Sequence, residues 1–146
     1  MDRITPEQRS YVMSCIRGTD TQPELIVRRA LHALGYRFRL HGQVSRDLWP
    51  SGRLPGKPDL VFASHRKVIH INGCFWHRHS RCGKDRSVPK TNVAFWTAKF
   101  ERNRRRKVRD RSRLRRRGWR YRTVWECDLR RDPDGQIARL VAFLEE

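Results

Sequence analysis

Hydrophobic spacing along the chain alternates between the periods that distinguish helices from strands. Leu25, Val27, Leu31 and Leu34 recur at helical intervals behind Thr21-Gln22-Pro23-Glu24, a capping-box pattern with proline in the first turn, and the stripe stops at Gly35. The same start signal in Thr5-Pro6-Glu7-Gln8 predicts an earlier helix over residues 6–16, ended by Gly18. Residues 36–40 alternate aromatic or apolar positions with Arg, as a strand does, and a polar loop containing Gly and Pro follows over residues 42–57. Two short β-rich runs, residues 59–63 and 67–72, are joined by Ser64-His65-Arg66 and predict a hairpin. Thr91 or Asn92 caps a long helix through Phe95, Trp96, Phe100 and Leu114 that ends at Gly118. Residues 120–125 form a further strand, and Ile137, Leu140, Val141 and Leu144 mark a closing helix. Helices thus precede, interrupt and follow the strands without any repeat. That order predicts one α/β domain over residues 1–146, a mixed central β-sheet flanked by helices.

Charge adds a partner to this picture. The chain of 146 residues carries 34 Lys and Arg against 15 Asp and Glu, a formal net charge of +19. Such a surplus repels itself unless a polyanion neutralises it, and nucleic acid is the best fit. An anionic membrane fits poorly, because the five Trp, six Phe and three Tyr are scattered and do not line one amphipathic helix. The first residues contain no apolar leader and no later run is long enough to span a bilayer, so a cytoplasmic, nucleoid-associated protein is expected. In a reducing compartment its four cysteines are expected to be ligands or buried thiols. Cys15, alone in a predicted helix, reads as a small buried hydrophobe.

The richest chemistry lies where the strand over residues 67–72 runs into Gly73-Cys74-Phe75-Trp76-His77-Arg78-His79-Ser80-Arg81-Cys82, a loop expected at a sheet edge. Cys74, His79 and Cys82 are of the types zinc prefers, at a spacing that lets one loop present three corners of a tetrahedron. Cys127, in Trp125-Glu126-Cys127, is the obvious candidate for the fourth corner and would tie the loop to the C-terminal region. His77 could ligate too, although a free imidazole there can act as a base. Asp59 follows the rigid turn Leu54-Pro55-Gly56-Lys57-Pro58 at the start of a strand. Phosphodiester cleavage without a nucleophilic side chain needs a hard cation, and Mg2+ is held by one or two carboxylates with backbone oxygen and water. Asp59 could share such an ion with a backbone carbonyl near Ile71.

In this order, Leu-Pro-Gly-Lys-Pro-Asp-Leu-Val, Asn-Gly-Cys-Phe-Trp-His-Arg-His-Ser-Arg-Cys, Phe95-Trp96 and Val124-Trp125-Glu126-Cys127 resemble the very-short-patch-repair (Vsr-type) endonucleases over nearly the whole chain. The resemblance implies a restriction-endonuclease-like fold of PD-(D/E)XK type with a structural zinc site. It further implies a Mg2+-dependent nick in one DNA strand immediately 5′ of the thymine of a T:G mismatch, starting repair of deaminated 5-methylcytosine. By resemblance, Asp59 and the carbonyl of Ile71 hold magnesium, His77 is the general base, and Glu24 is the supporting acidic residue of an N-terminal helix. Cys74, His79, Cys82 and Cys127 are the zinc ligands, and Phe75, Trp76 and Trp96 form the aromatic wedge that enters the stack at the mismatch. The implied partners are double-stranded DNA with a T:G mismatch, a functionally paired cytosine-5 DNA methyltransferase and a MutL-type repair protein. A monomer is expected.

The chain departs from that pattern at Asn72, where family members commonly carry His and sometimes Asp. Asn cannot shuttle a proton, but it can hydrogen-bond or bind a hydrated metal, so Asn72 stays among the catalytic candidates. The spacing between His79 and Cys82 is also wider than the family's. Glu24 has a purely structural alternative as the closing residue of a capping box behind Thr21. The arginine-rich stretch from Arg102 to Arg117 reads as a phosphate-contacting or simply solvated helix face. For the whole chain the alternative class is a non-catalytic, zinc-containing nucleic-acid-binding module, which would need neither Asp59 nor His77.

Overall fold

The computed structural model describes residues 5–8, 20–74, 78–83 and 90–146. Residues 6–8 are helical, and the rest of the first predicted helix, Cys15 included, lies outside the described residues. The elements in chain order are α1 (Gln22–Ala33), β1 (Arg39–Leu40), β2 (Leu60–Phe62), a 3-10 turn (Ala63–His65), β3 (Lys67–Asn72), α2 (Val93–Arg116), β4 (Arg120–Trp125), α3 (Glu126–Arg131) and α4 (Pro133–Glu145).

The strands form one sheet in the order β1-β2-β3-β4, antiparallel except for the parallel pair β3 and β4. The expected mixed sheet with flanking helices is therefore present. Residues 36–40 yield only a two-residue strand, and the 59–63 run only three, because Ala63 already belongs to the 3-10 turn. Arg66 closes that turn in the left-handed region at φ 51°.

Alternation along the strands sends side chains to two separate cores. Leu60, Phe62, Ile69, Ile71 and Val124 pack with Val27 and Leu31 of α1, Leu129 of α3, and Leu140, Phe143 and Leu144 of α4. Val61 and Val68 turn the other way, meeting Leu114 of α2, Trp119, and Val44, Trp49 and Leu54 of the long loop. Each such aliphatic side chain contributes about 1.5–3 kcal/mol on burial, so both faces of the sheet are firmly covered. Lys67 alternates with Ile69 onto the first core face and is buried. Its ammonium donates to the carbonyls of Phe143 (2.8 Å) and Leu144 (3.2 Å), groups that the end of α4 leaves without helical partners. At the other end of α4, the Asp132 carboxylate caps the helix by accepting from Gly135 N at 3.1 Å.

The order of strands also moves the loop that follows β3. β3 is an interior strand, so the loop leaves the C-terminal ends of the parallel β3–β4 pair, not the sheet edge expected from sequence. The cause is the parallel pairing of β4, a long-range contact with no local signal.

Candidate active site and metal centre

α1 carries its stripe one turn further back than the hydrophobic pattern reveals. Glu24, Val27 and Leu31 share one face, and Glu24 is buried with them at 4 % exposure. A carboxylate at that depth must be paired. Glu24 accepts from Asp20 N and from the Arg28 guanidinium, both at 3.0 Å, while Arg28 also holds the Asp20 carboxylate at 2.7 Å. Thr21 makes no side-chain cap, so the expected capping box is replaced by this Asp20–Arg28 clamp.

Asp59 immediately precedes β2, and its carboxylate accepts from Ile71 N of β3 at 2.6 Å. Burial pushes its carboxyl up to about 7, opposed by the Ile71 N–H and reinforced by the nearby charge of Glu24. Near neutrality the metal-free site therefore holds a carboxyl that retains much of its proton. Glu24, Asp59 and His41 each offer a donor atom, and these atoms lie within 4.8 Å of one another. Donors on opposite sides of an octahedral Mg2+ are about 4.2 Å apart, so small side-chain adjustments suffice to close the site around a hard cation. The donor set fits such an ion.

The second cluster joins Cys74, His79, Cys82 and Cys127, whose donor atoms also lie within 4.8 Å of one another. His79 Nδ1 is 3.6 Å from Cys74 Sγ and 3.2 Å from Cys127 Sγ, against about 3.6 Å for neighbouring S and N corners of a zinc tetrahedron. The His79 ring stacks on Trp125 at 4.1 Å and 8°. Burial, then the adjoining Cys127 and Cys82 thiols, push Cys74 up to about 12. A divalent cation reverses that penalty by stabilising the thiolates, so this group also fits a metal. Asp128 braces the loop from below, accepting from Arg81 and, at 2.9 Å, from Arg131.

Between β3, the turn at residues 54–57 and α2 lies a cavity of about 810 Å3. Lys57, Arg106, Lys107, Arg109, Arg111 and Arg113 line it against a single carboxylate, Asp110. Gly56 makes the turn possible: its φ is +80°, and a Cβ there would press on Asp110 at 3.3 Å. Asn72 also faces this cavity, is 4 % exposed, and has an Nδ2 without a hydrogen-bond partner among the described residues. Lys57 and Asn72, which line the cavity, lie two residues before Asp59 and one after Ile71 in the chain.

The structure thus brings Glu24 to Asp59, sets Ile71 against Asp59 by its N–H, and gathers all four predicted soft ligands. Asn72 stands at the adjoining cavity. Phe75, Trp76 and His77 lie outside the described residues. Trp96 is half-buried at the start of α2, 5.5 Å from Phe95 and 5.9 Å from Phe100, and the Arg78 guanidinium stacks over Phe100 at 4.2 Å. Sequence reasoning missed His41. It immediately follows the predicted strand over residues 36–40, but only the antiparallel register of β1 on β2 places it beside Asp59.

Two clusters with metal-ligand chemistry, one of carboxylates with an imidazole and one of thiols with an imidazole, and a cavity lined by cations are the parts expected of a nuclease. The chain belongs to the Vsr family, described as DNA mismatch endonuclease Vsr, whose profile matches residues 1–84. It is 45% identical over 129 residues to "Type II nicking enzyme V.XorIIP" of Xanthomonas oryzae pv. oryzae, covering 88% of this chain and 86% of that protein. "Type II nicking enzyme V.NmeAIP" of Neisseria meningitidis serogroup A is 36% identical over 129 residues, covering 88% and 84%. "DNA mismatch endonuclease Vsr" of Escherichia coli is 40% identical over 122 residues, covering 84% and 71%.

Proposed function

We propose that the protein is a Mg2+-dependent DNA mismatch endonuclease that nicks one strand 5′ of the thymine in a T:G mismatch. The observation that carries this reading is the convergence of Glu24 and Asp59, with His41, into one donor set in a member of this family. Asp59, Glu24 and the carbonyl of Ile71 would hold magnesium, which supplies charge neutralisation on the scissile phosphate when bound. Arg28 keeps the Glu24 carboxylate oriented. Asn72 offers its unpaired amide to a phosphate oxygen, a role that needs no proton transfer and so accommodates the absence of His. His77 accepts the proton of the attacking water.

Cys74, His79, Cys82 and Cys127 would hold zinc and so fix both ends of the segment that contains Phe75 and Trp76. With Trp96 they form the wedge that opens the stack at the mismatch, where unstacking costs least. The protein acts in the cytoplasm at the nucleoid as a monomer, repairing deamination at sites of a paired cytosine-5 DNA methyltransferase and cooperating with a MutL-type protein. Among the described residues no helix is long and apolar enough to cross a membrane.

End-labelled duplexes with T:G or fully paired sites, in several flanking contexts, test the reading with Mg2+ and with EDTA. A Mg2+-dependent nick 5′ of the mismatched thymine is expected. Asp59→Ala should lower its rate at least about a thousandfold, since cation catalysis supplies several kcal/mol of barrier reduction. Tight mismatch binding without a cut in any context would leave only the non-catalytic binding module.

A further inference from the structure

His41 lies in a position that the sheet takes trouble to define. It is a non-glycine residue in the left-handed region, at φ 54°, and its N–H donates to the Asp59 carbonyl at 3.2 Å. The next residue, Gly42, has φ +75° and sits so close to Lys57 Cα and Pro58 Cδ, 3.2 Å from where a Cβ would stand, that side chains are excluded there. Leu54 N donates to the Gly42 carbonyl at 2.8 Å, closing the long loop behind the pair. The backbone that presents His41 is thus pinned on both sides to the backbone that presents Asp59. Non-glycine residues held in this region cluster where the surrounding structure over-determines them for function. The half-buried imidazole also lies near Asp20: Nε2 is 3.8 Å from Asp20 Oδ1, beyond hydrogen-bonding distance, and that carboxylate is already engaged by Arg28 at 2.7 Å.

We propose that His41 is a third side-chain ligand of the catalytic cation, and that its nitrogen biases the site toward a first-row cation such as Mn2+ relative to Mg2+. This deepens, and rests on, the reading of Glu24 and Asp59 as a cation site. Mg2+ favours an all-oxygen octahedron, whereas imidazole suits the borderline transition cations, so a Glu–Asp–His set discriminates where two carboxylates alone do so weakly. With donor atoms already within 4.8 Å, His41 joins the site by a side-chain adjustment and no backbone movement.

The test uses the zinc-loaded full chain without DNA. Mn2+ binding is followed by electron paramagnetic resonance, with pulsed spectra reporting nitrogen bound to manganese and Mg2+ affinity read by competition. The unaltered protein should show a nitrogen coupling on Mn2+. His41→Asn, which tolerates the left-handed backbone, and His41→Gln should lose that coupling and weaken Mn2+ by about tenfold or more, with a smaller loss for Mg2+. Zinc content and thermal melting of these variants should match the unaltered protein. Absence of nitrogen coupling in the unaltered protein overturns the proposal, as does its persistence in either variant. If Asp59→Asn abolishes Mn2+ binding while both His41 variants keep it, only the role of His41 falls. Undiminished Mn2+ binding by Asp59→Asn would instead remove the cation site itself.

Discussion

Asp59 shows how burying a single carboxyl can be costly to the fold. Its carboxyl is pushed up to about 7 chiefly by burial, from an unfolded value near 3.8. Between those values the folded chain binds more protons than the unfolded one, so the metal-free protein loses stability from this group as pH rises through that window. Asp59→Asn keeps an acceptor for the Ile71 N–H and removes the buried charge. In zinc-loaded protein without added Mg2+ it should therefore raise the melting temperature at pH 8, by about 2–4 °C for each kcal/mol of charge burial relieved, and leave it little changed at pH 4. Thermal unfolding at the two pH values decides the matter. Equal shifts at both would mean that ionisation of Asp59 is not what strains the metal-free fold.

Elements carry these residues to one another, and their legibility in the sequence was uneven for physical reasons. α1, β3, α2 and α4 followed from apolar periodicity, because that signal is local, although neither Thr21 nor Asn92 makes the side-chain cap expected of it. The β1 and β2 strands shrank, and α3 was missed, since Glu126–Arg131 is a short helix that follows β4 without a Gly or Pro break. Cys74, His79, Cys82 and Cys127 could be grouped from chemistry alone, whereas His41 could not, because its proximity to Asp59 is made by strand register. Glu24 had two readings, and the buried clamp from Asp20 and Arg28 replaced the cap. The cluster of Cys74, His79, Cys82 and Cys127 links the loop after β3 to the first turn of α3, elements joined otherwise through the parallel pair β3 and β4. Cys127→Ala should thus lower zinc content and the melting temperature together, as metal binding and folding are coupled. Metal analysis with calorimetry measures both, and unaltered zinc content would mean that another residue supplies the fourth corner.

Over the whole molecule, a formal charge of +19 sets how tightly any DNA is held before its sequence or pairing matters. The cations are not evenly useful. Glu101 is already taken up with Arg104 and Arg105, whereas Arg106, Lys107, Arg111 and Arg113 line the cavity beside Asn72. Burial, with Arg111 alongside, holds the Lys107 ammonium below its usual value, and the ring of Trp125 lies 5.4 Å from Nζ. A phosphate entering the cavity would restore the solvation those groups lack, and its counterions would be released to bulk. Each phosphate contact adds about 0.9 to the slope of log affinity against log salt. Arg106→Ala with Arg113→Ala should therefore flatten that slope by about 1–2 and weaken T:G and fully paired duplexes equally, because backbone contacts carry no base information. Trp96→Ala should leave the slope alone and weaken the T:G duplex selectively, since a wedge acts where the stack is softest. Fluorescence anisotropy over a salt series, with both duplexes and both variants, separates the two terms. A selective loss from the arginine variant, or an equal loss from the tryptophan variant, would reverse the division of labour between the cationic cavity and the aromatic start of α2.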